Sequence, residues 1–502
     1  MRKWGPLVAV CLGAFMLLVD TTVVLVALPD IADATDSTYA DLQWVVDAYA
    51  LALAALLLGV GALADIVGRK RVYAAGLVVF TVASLLCGLA PGTGTLVAAR
   101  IVQGIGGAAM LATAIALIGA AYQGRDRGVA FGIWGAVAGA SAALGPVVGG
   151  LLTEHVGWRA IFLVNLPVGA VALVLALRWL RESHGDRTTR VDVPGAAVFT
   201  LAAAALTYAF IRAGENGWDD GTVRAAFAVA AVAVALFAVV ESRAAAPMLD
   251  LRLLRDRSFT GILIAGLALQ IAAFAWMPQV SLWLQTHLGN SPVRAGLMLA
   301  PLAAVAFVVA GAAGRLLHDA PARWTIGGGL LFIGTGALLL TRIDAGSDWT
   351  VLLPGLITAG IGVGLGTPAL ASAILATVPP ERAGMAGGAL NTFRQLGFAL
   401  GIAVTGVVFQ GEAESVLNDA GVAGAHEAAA RLTEGGGERG LPPGAADSAY
   451  TSGLDAVVLM SGVVGLAAGL LVVLLVRGER PGTPAPPPGP TRPKQAKSSA
   501  VG

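Results

Sequence analysis

Long apolar stretches separated by short polar segments run through most of the chain. A helix needs about 20 mostly apolar residues to cross a bilayer, because it rises about 1.5 Å per residue through a core of about 30 Å. Fourteen stretches meet this length, near residues 7–28, 44–64, 72–90, 95–121, 129–152, 160–179, 193–212, 223–242, 259–283, 295–317, 324–341, 350–375, 384–409 and 454–476. The pattern predicts an all-α integral membrane protein with 14 transmembrane helices, mostly antiparallel to their neighbours.

Composition supports a bilayer as the solvent of these helices. Of the 502 residues, 57% are hydrophobic and 13% are charged, whereas soluble domains carry about 25% charged residues. The formal net charge of +1 gives no reason to expect a nucleic-acid partner. Cys11 and Cys87 both lie in apolar stretches, so we expect packed thiols rather than a disulfide. The first stretch continues to Leu28 with no cleavage site before Asp20, which favours a retained span over a signal peptide.

Lysine and arginine are unevenly shared between the two sides of the predicted membrane. With the N-terminus inside, 23 of them fall in cytoplasmic segments and 7 in outer segments, while Arg100 and Arg394 lie within spans. Because positive residues are retained on the cytoplasmic side, this bias predicts a multi-pass protein of the cell membrane with both termini in the cytoplasm. Residues 410–453 form a predicted outer loop that is mobile or partly helical, and the proline-rich tail at 477–502 is expected to be disordered.

Two short sequences recur in the second half of the chain. QGIGGAAMLATAIALI, which begins at Gln103, resembles AGIGVGLGTPALASAIL, which begins at Ala359, and RDRGVAFG resembles PERAGMAGG at nearly the same shift of about 256 residues. Weak symmetry at half-chain spacing is typical of duplicated transporter halves. The repeat predicts one six-helix bundle in 1–180, a linker with two inserted helices in 181–257, and a second six-helix bundle in 258–476.

Two charged residues lie within predicted spans of the first half. An unpaired charge at the centre of a span costs roughly 2.5–3.5 kcal/mol on insertion scales. Counting the helical rise from the span ends places Asp20 about 9 Å and Arg100 about 8 Å below the same outer edge. The matched depths predict an ion pair, in which Asp20 either loads and releases a proton or has a purely structural role. Asp47, near the outer end of the second span, is a second candidate carboxylate or a plain interfacial residue.

Six short motifs occur in order along the predicted spans. They are LLVDTTVVLVALP at 17–29, GALADIVGRKR at 61–71, RIVQGIGGA, GASAALGPVVGG, GWRAIFLVNLP and SPVRAGLMLAP. Together they resemble motifs of the major facilitator superfamily, in its fourteen-span drug:proton antiporter branch. Leu25 stands where the first-span motif usually has Asn, and Ile66 where the second motif usually has a base. The resemblance implies the major facilitator fold, with two six-helix bundles plus two inserted helices.

Charge is concentrated in GALADIVGRKR, between the second and third spans. Asp65 lies near the negative end of a helix dipole and needs a basic partner, which Arg69 can provide across the turn. The resemblance implies a cytoplasmic latch between the two halves, whose residues are Gly61, Asp65, Gly68, Arg69 and Lys70. Plain anchoring by positive residues on the cytoplasmic side is the alternative. The resemblance also implies an antiporter motif of closely packed small residues, which are Gly139, Gly145, Pro146, Gly149 and Gly150.

Polar and aromatic residues within the spans are candidates for a substrate cavity. Asn391, Arg394 and Gln395 share one helix face, because they are spaced i, i+3 and i+4. A buried Arg faces the interior of a bundle rather than lipid, so this group either contacts substrate or holds helices together. The other candidates are Gln103, Trp276 and Gln279. Placement at the lipid interface explains the tryptophan equally well.

The resemblance, together with the charged residues Asp20 and Arg100 within the bilayer, favours a proton-coupled antiporter that exports amphipathic small molecules, such as drugs or antibiotics, by alternating access. No Walker A sequence is present, so ATP is not the expected energy source, and we expect no cofactor, metal or enzymatic nucleophile. Protons, the substrate and membrane lipid are the expected partners of a monomer. A lipid or glycoconjugate flippase, or an uncoupled facilitator, is the alternative within transport. An integral membrane enzyme would need a cluster of catalytic side chains near one interface, and a receptor would not need Asp20 and Arg100 within the bilayer.

Overall fold

Helices make up most of the described part of the chain. The computed structural model describes residues 3–35, 37, 39–185, 192–244, 247, 249–317, 320–341, 343, 346–433, 441–442 and 444–476. These residues form 17 α-helices and three short 3-10 turns, without any strand. A helix pairs its backbone N–H and C=O groups internally, and this is required in the hydrocarbon core of a bilayer because no water is present there to bond them.

Seven helices make up the first half. They are α1 (Gly5–Thr35), α2 (Tyr39–Val67), α3 (Arg69–Gly88), α4 (Thr93–Ala121), α5 (Gly124–His155), α6 (Ala160–Leu163) and α7 (Asn165–Trp179). The turn from α2 to α3 is made by Gly68, whose φ of 120° is a conformation that only glycine adopts without strain. We call the end of the bundle that carries this turn the inner end, which the sequence predicts to be cytoplasmic.

Two inserted helices and eight further helices follow. The inserted pair is α8 (Val193–Asn216) and α9 (Gly221–Arg243), and each begins after an aspartate, Asp192 or Asp220, whose side chain caps the first amides. The second half contains α10 (Arg257–Phe274), α11 (Met277–Thr286), α12 (Pro292–Leu316), α13 (Ala322–Leu339), α14 (Leu353–Ala376), α15 (Ala383–Asp419), α16 (Ala425–Thr433) and α17 (Ala445–Leu475).

The predicted spans correspond to these helices. Thirteen segments of the described residues are long and apolar enough to cross a membrane, and each coincides with a predicted span. The remaining predicted span, 129–152, corresponds to α5, whose 32 residues exceed the length that a crossing needs. The prediction of an all-α integral membrane protein is confirmed, and Cys11 and Cys87 are free, buried thiols as expected.

Two predicted spans are each built from two helices. The span at 160–179 breaks after Leu163, and the span at 259–283 breaks after Phe274. Each break falls four residues before a proline, which is Pro167 or Pro278. A proline has no N–H to donate to the carbonyl four residues earlier, and its ring clashes with that carbonyl, so the helix is interrupted there.

The predicted outer loop at 410–453 is largely helical in its described part. α15 continues past the predicted end of its span to Asp419, and α16 packs against it. This extension buries Phe409, Ala413 and Leu417, which lie on one face of α15 at spacings of four residues. The predicted tail at 477–502 lies outside the described residues.

The two halves of the chain meet along two seams. In one, α2 packs against α15, and in the other, α5 packs against α12. The inserted helix α8 contacts both α2 and α15, while α9 packs mainly on α8. The inserted pair therefore lies across the α2–α15 seam. This arrangement is compatible with two six-helix bundles, and the exact domain boundaries stay a prediction.

Candidate functional site

A polar cluster lies buried inside the first half. At its centre are Asp20 of α1 and Arg100 of α4, which are 1% and 0% exposed. Arg100 Nη1 donates to Asp20 Oδ2 at 2.5 Å, so the two charges form a direct ion pair. The contact that their matched depths predict is therefore present in the structure.

Amide and hydroxyl groups surround the carboxylate of Asp20. Gln103 Nε2 and Asn165 Nδ2 both donate to its Oδ1, at 3.0 and 2.8 Å. The same two amides donate to Ser84 Oγ, at 2.7 and 2.9 Å. Gln103 Oε1 in turn accepts from Arg100 Nη1 at 2.7 Å. Side chains from α1, α3, α4 and α7 thus form one closed hydrogen-bond network.

Arg100 also contacts α2. Its Nε donates to Val45 O at 3.0 Å, and its guanidinium lies 4.1 Å from the ring centroid of Tyr49, a cation–π distance. Its Nη2 is buried and has no hydrogen-bond partner among the described residues. A change in the position of α2 therefore acts directly on the charge that pairs with Asp20.

Local sequence brings these groups together. Gly104, next to Gln103, allows α4 to approach α2 closely, because a Cβ there would lie 2.6 Å from Tyr49 O. The break between α6 and α7 makes Asn165 the first residue of α7. Its side chain, 5% exposed, reaches Asp20 and Ser84 from that position.

A second group of charged residues joins the two halves at the inner end. Asp65 Oδ1 and Oδ2 accept from the amides of Gly384 and Met385, both at 2.9 Å. Arg69 pairs with Asp65 at 2.8 Å, and its Nη2 donates to Pro380 O at 2.7 Å. The carboxylate thus lies at the start of α15, where the helix dipole favours negative charge. These contacts close the inner end along the α2–α15 seam.

The other residues of the predicted latch have different surroundings. A Cβ on Gly61 would lie 2.6 Å from Gly384 O, so this glycine allows α2 and α15 to touch. Lys70 stays within the first half, where its amide donates to Glu182 Oε1 at 2.9 Å and its Nζ to Leu177 O at 2.7 Å. Ile66, which replaces a base, is half-buried. The side chain of Leu25, the other departure, lies outside the described residues.

Small residues of the predicted antiporter motif face two different helices. Gly145 and Gly149 lie against α1, and a Cβ on Gly149 would lie 2.9 Å from a backbone oxygen of that helix. Gly139 and Gly150 lie against α12 of the second half. The side chain of Pro146 lies outside the described residues. α5 therefore connects the helix that carries Asp20 with the second half.

The six predicted cavity residues do not share one site in this conformation. Gln103 belongs to the polar cluster. Trp276 is fully buried within the second half, where its Nε1 donates to Ala272 O at 3.0 Å. Gln279, 7% exposed, also lies there, and its Nε2 is 3.4 Å from Thr405 Oγ1.

The remaining candidates lie on α15 or on α2. Asn391 Nδ2 donates to Leu111 O at 3.0 Å, so it joins the two halves. Arg394 and Gln395 are half-buried, and Arg394 Nε has no hydrogen-bond partner within the described part of the chain. Asp47 is half-buried on α2. Roles for these residues stay predictions.

Ser84 and Asn165 belong to the cluster although sequence reasoning did not select them. Asn165 lies in the motif GWRAIFLVNLP, two residues before the proline that breaks the span, which is a usable signal. Ser84 is a single small polar residue in an apolar stretch, and serine is common in transmembrane helices at ordinary packing positions.

Comparison with known proteins shows the family of this chain. A model of the Major Facilitator Superfamily matches residues 10–402. The multidrug resistance protein Stp of Mycobacterium tuberculosis is 38% identical over 403 residues, which cover 80% of this chain and 75% of that protein. The tetracenomycin C resistance and export protein of Streptomyces glaucescens is 31% identical over 510 residues, with coverage of 97% and 94%. The crystal structure of the human organic anion transporter MFSD10 has the same fold, with a TM-score of 0.66 at 15% identity and coverage of 94% and 99%.

Proposed function

Because the chain belongs to the major facilitator superfamily, and is thus a membrane transporter rather than an enzyme, we propose that it exports amphipathic small molecules in exchange for protons. Similarity to multidrug and antibiotic resistance proteins supports drugs as the substrate class. The positive-inside bias supports a plasma-membrane location with both termini in the cytoplasm, so protons entering the cell would drive export.

The observation that carries proton coupling is the set of donors around Asp20. An ionised carboxylate only accepts hydrogen bonds, and three donors point at it, from Arg100, Gln103 and Asn165. A proton on either oxygen turns that oxygen into a donor, which then faces another donor. The hydrogen-bond network around Asp20 must therefore rearrange when the proton binds. Proton binding therefore changes the contacts that hold α1, α4 and α7 together.

Access to the proton site requires a change of conformation. Asp20 is 1% exposed, so it cannot exchange a proton with water while the hydrogen-bond network is closed. Its partner Arg100 contacts α2 through Val45 and Tyr49, and α2 also carries Asp65 at the inner end. Since a helix moves largely as a rigid rod, opening the α2–α15 seam shifts both sites. Proton release and closure of the inner end are thereby linked, as alternating access requires.

Transport in proteoliposomes tests the proposal. The purified chain is reconstituted, a pH gradient is imposed, and accumulation of ethidium, a fluorescent amphipathic cation, is measured. Asp20→Asn should abolish accumulation against the gradient but leave ethidium binding within about threefold of wild type. Glu154→Gln, which changes an exposed carboxylate at the outer end of α5, is the matched control and should accumulate ethidium normally.

Three results would contradict the proposal. If Asp20→Asn still concentrates ethidium, Asp20 is not the coupling site. If the wild type moves ethidium only down its own gradient at every pH, the chain is an uncoupled facilitator. If only labelled lipids move, it is a flippase.

A further inference from the structure

Helix α15 changes from buried to half-buried partway along its span. All residues at 383–392 are buried, whereas the four residues at 393–396 are half-buried. Within the buried part, Asn391 donates to Leu111 O of the first half at 3.0 Å. Arg394 follows Asn391 by three residues and so lies on nearly the same face of the helix. Arg394 therefore lies directly beyond the closed contact between the two halves, on its outer side.

Helix α10 leaves room for the side chain of Arg394. A Cβ on Gly266 would lie 3.3 Å from Arg394 Cγ, so the stem of the arginine passes over this glycine. Gln270 follows Gly266 by four residues, which places it on the same face of α10 and about 6 Å nearer the outer end. It is 9% exposed, and its Oε1 is buried without a hydrogen-bond partner among the described residues. A guanidinium and an amide thus lie close together at one contact between α10 and α15.

The charge of Arg394 is not paired within the described part of the chain. Arg394 forms no ion pair or side-chain hydrogen bond there, and its Nε is buried without a partner. Among the acidic side chains on helices that pack against α15, Asp65 is bound by the first amides of α15. Asp47 of α2 and Asp455 of α17 lie nearer the outer end than Arg394, as counted along the helices from their glycine contacts with α15.

An unpaired arginine at this depth is a binding group for a negative charge. Charged side chains within a span face the interior of a bundle and pair there, or they mark the path of a substrate. The exposed part of Arg394 can be hydrated while the outer side is open, but closure of the outer side would remove that hydration. A negative group on the transported molecule would then stabilise the closed state.

We propose that Arg394 and Gln270 bind the carboxylate of an exported molecule, so that amphipathic monocarboxylic acids are a substrate class of this chain. The inference rests on the proposed export function and names a group that its substrates carry. The fork of the guanidinium matches the two oxygens of a carboxylate, and the amide of Gln270 adds a further donor. One arginine balances one negative charge, which favours a carboxylate over a phosphate dianion.

Two probes of nearly equal size and shape test the site. Dansyl-leucine carries a carboxylate, and dansyl-leucinamide carries an uncharged amide in its place. Binding of each probe to the full-length chain is measured in neutral detergent by isothermal titration calorimetry. Because the amide cannot form the ion pair, the wild type should bind dansyl-leucine roughly tenfold more tightly, or better. In Arg394→Gln this preference should disappear, so that both probes bind with similar affinity.

Two further variants separate the site from general effects of charge and folding. Gln270→Leu keeps the arginine but removes the neighbouring amide, so it should lower the preference for the carboxylate several-fold. It decides the question if Arg394→Gln does not fold. Arg431→Gln removes an arginine from an exposed position on α16 of the same half and should keep the wild-type preference.

The ratio of the two affinities identifies the results that overturn the site. Equal binding of both probes by the wild type overturns it, and so does equal weakening of both probes in Arg394→Gln. Loss of the preference in Arg431→Gln would overturn it as well, and so would an unchanged preference in Gln270→Leu.

The outcome is independent of proton coupling, because calorimetry needs no pH gradient. Preference for the carboxylate without proton-driven accumulation of ethidium would support this site and contradict the proposed antiport. Accumulation of ethidium by a wild type that shows no such preference would overturn this site alone.

Discussion

Substitution of Asp65 by Asn tests whether the inner-end contacts hold the two halves together. The carboxylate accepts from the amides of Gly384 and Met385 through separate oxygens and also pairs with Arg69. An asparagine has one acceptor oxygen and turns an NH2 group toward a donor. At least one hydrogen bond to a charged group is lost, which is worth about 1.5–3 kcal/mol. Since 1.4 kcal/mol is about tenfold in an equilibrium, we expect the inner end to open roughly 10- to 100-fold more readily.

Pulsed electron paramagnetic resonance can measure this shift. Spin labels are attached at Arg178 and Leu316, which are exposed at the inner ends of α7 and α12 in different halves. The background carries Cys11→Ala and Cys87→Ala. Asp65→Asn should enlarge the long-distance population and slow ethidium turnover more than it weakens ethidium binding.

Glu182→Gln is the matched control for this measurement. Glu182 accepts from the amides of Lys70 and Arg71 within the first half, at 2.9 and 3.2 Å, so its charge lies at the same end without crossing the seam. The distribution of spin-label distances in Glu182→Gln should match that of wild type. An equal shift in the control would refute the latch. So would unchanged distances in Asp65→Asn together with a large loss of ethidium affinity.

Three further predictions concern other contacts. Asn165→Leu removes a hydrogen-bond donor to the carboxylate of Asp20, so accumulation of ethidium against its gradient should fall while ethidium binding is retained; unchanged accumulation would show that Asn165 does not position the carboxylate. Gly132→Leu should prevent close approach of α5 and α12, because a Cβ there already lies 2.5 Å from Ala310 O, and the spin-label distances should lengthen. Although partial burial acts to raise the pKa of Asp250, hydrogen bonds from Arg382 and from the Arg252 amide prevail and lower it. The Asp250–Arg382 pair therefore stabilises the fold above the unfolded pKa of about 3.9, and this stabilisation is lost as the pH falls through the lower pKa of folded Asp250. On acidification, the thermal unfolding midpoint of Asp250→Asn should thus fall less than that of wild type.

Span positions could be predicted from the sequence because a crossing helix has a required length and few charges. The breaks in two spans could not be predicted from proline alone. Helix α6 stops four residues before Pro167, whereas Pro301 and Pro368 lie inside the continuous helices α12 and α14. Whether a proline ends a helix depends on what neighbouring helices offer to the freed carbonyl, which is a property of the packed structure.

The candidate site was predictable along the membrane normal but not within the membrane plane. Helical rise gives the depth of a residue directly, so Asp20 and Arg100 could be paired from their positions in the sequence. Rise carries no information on which helices are neighbours, and therefore the roles of Ser84 and Asn165 needed the structure. The partners of Asp65 on α15 are backbone amides, which every residue except proline has, so no sequence pattern marks them.

The inserted helix α8 adds a constraint on how the α2–α15 seam can open. Tyr208 of α8 stacks on Trp44 of α2 with ring centroids 6.0 Å apart, and Arg212 lies 5.3 Å from the same tryptophan ring. These aromatic and cation–π contacts attach α8 to α2 near the outer end. Since α8 also packs on α15, it cannot stay attached to both helices when the seam opens. In the proposed opening of the seam, we therefore expect α8 to keep its contacts with Trp44 and move with α2, so that the inserted pair slides along α15.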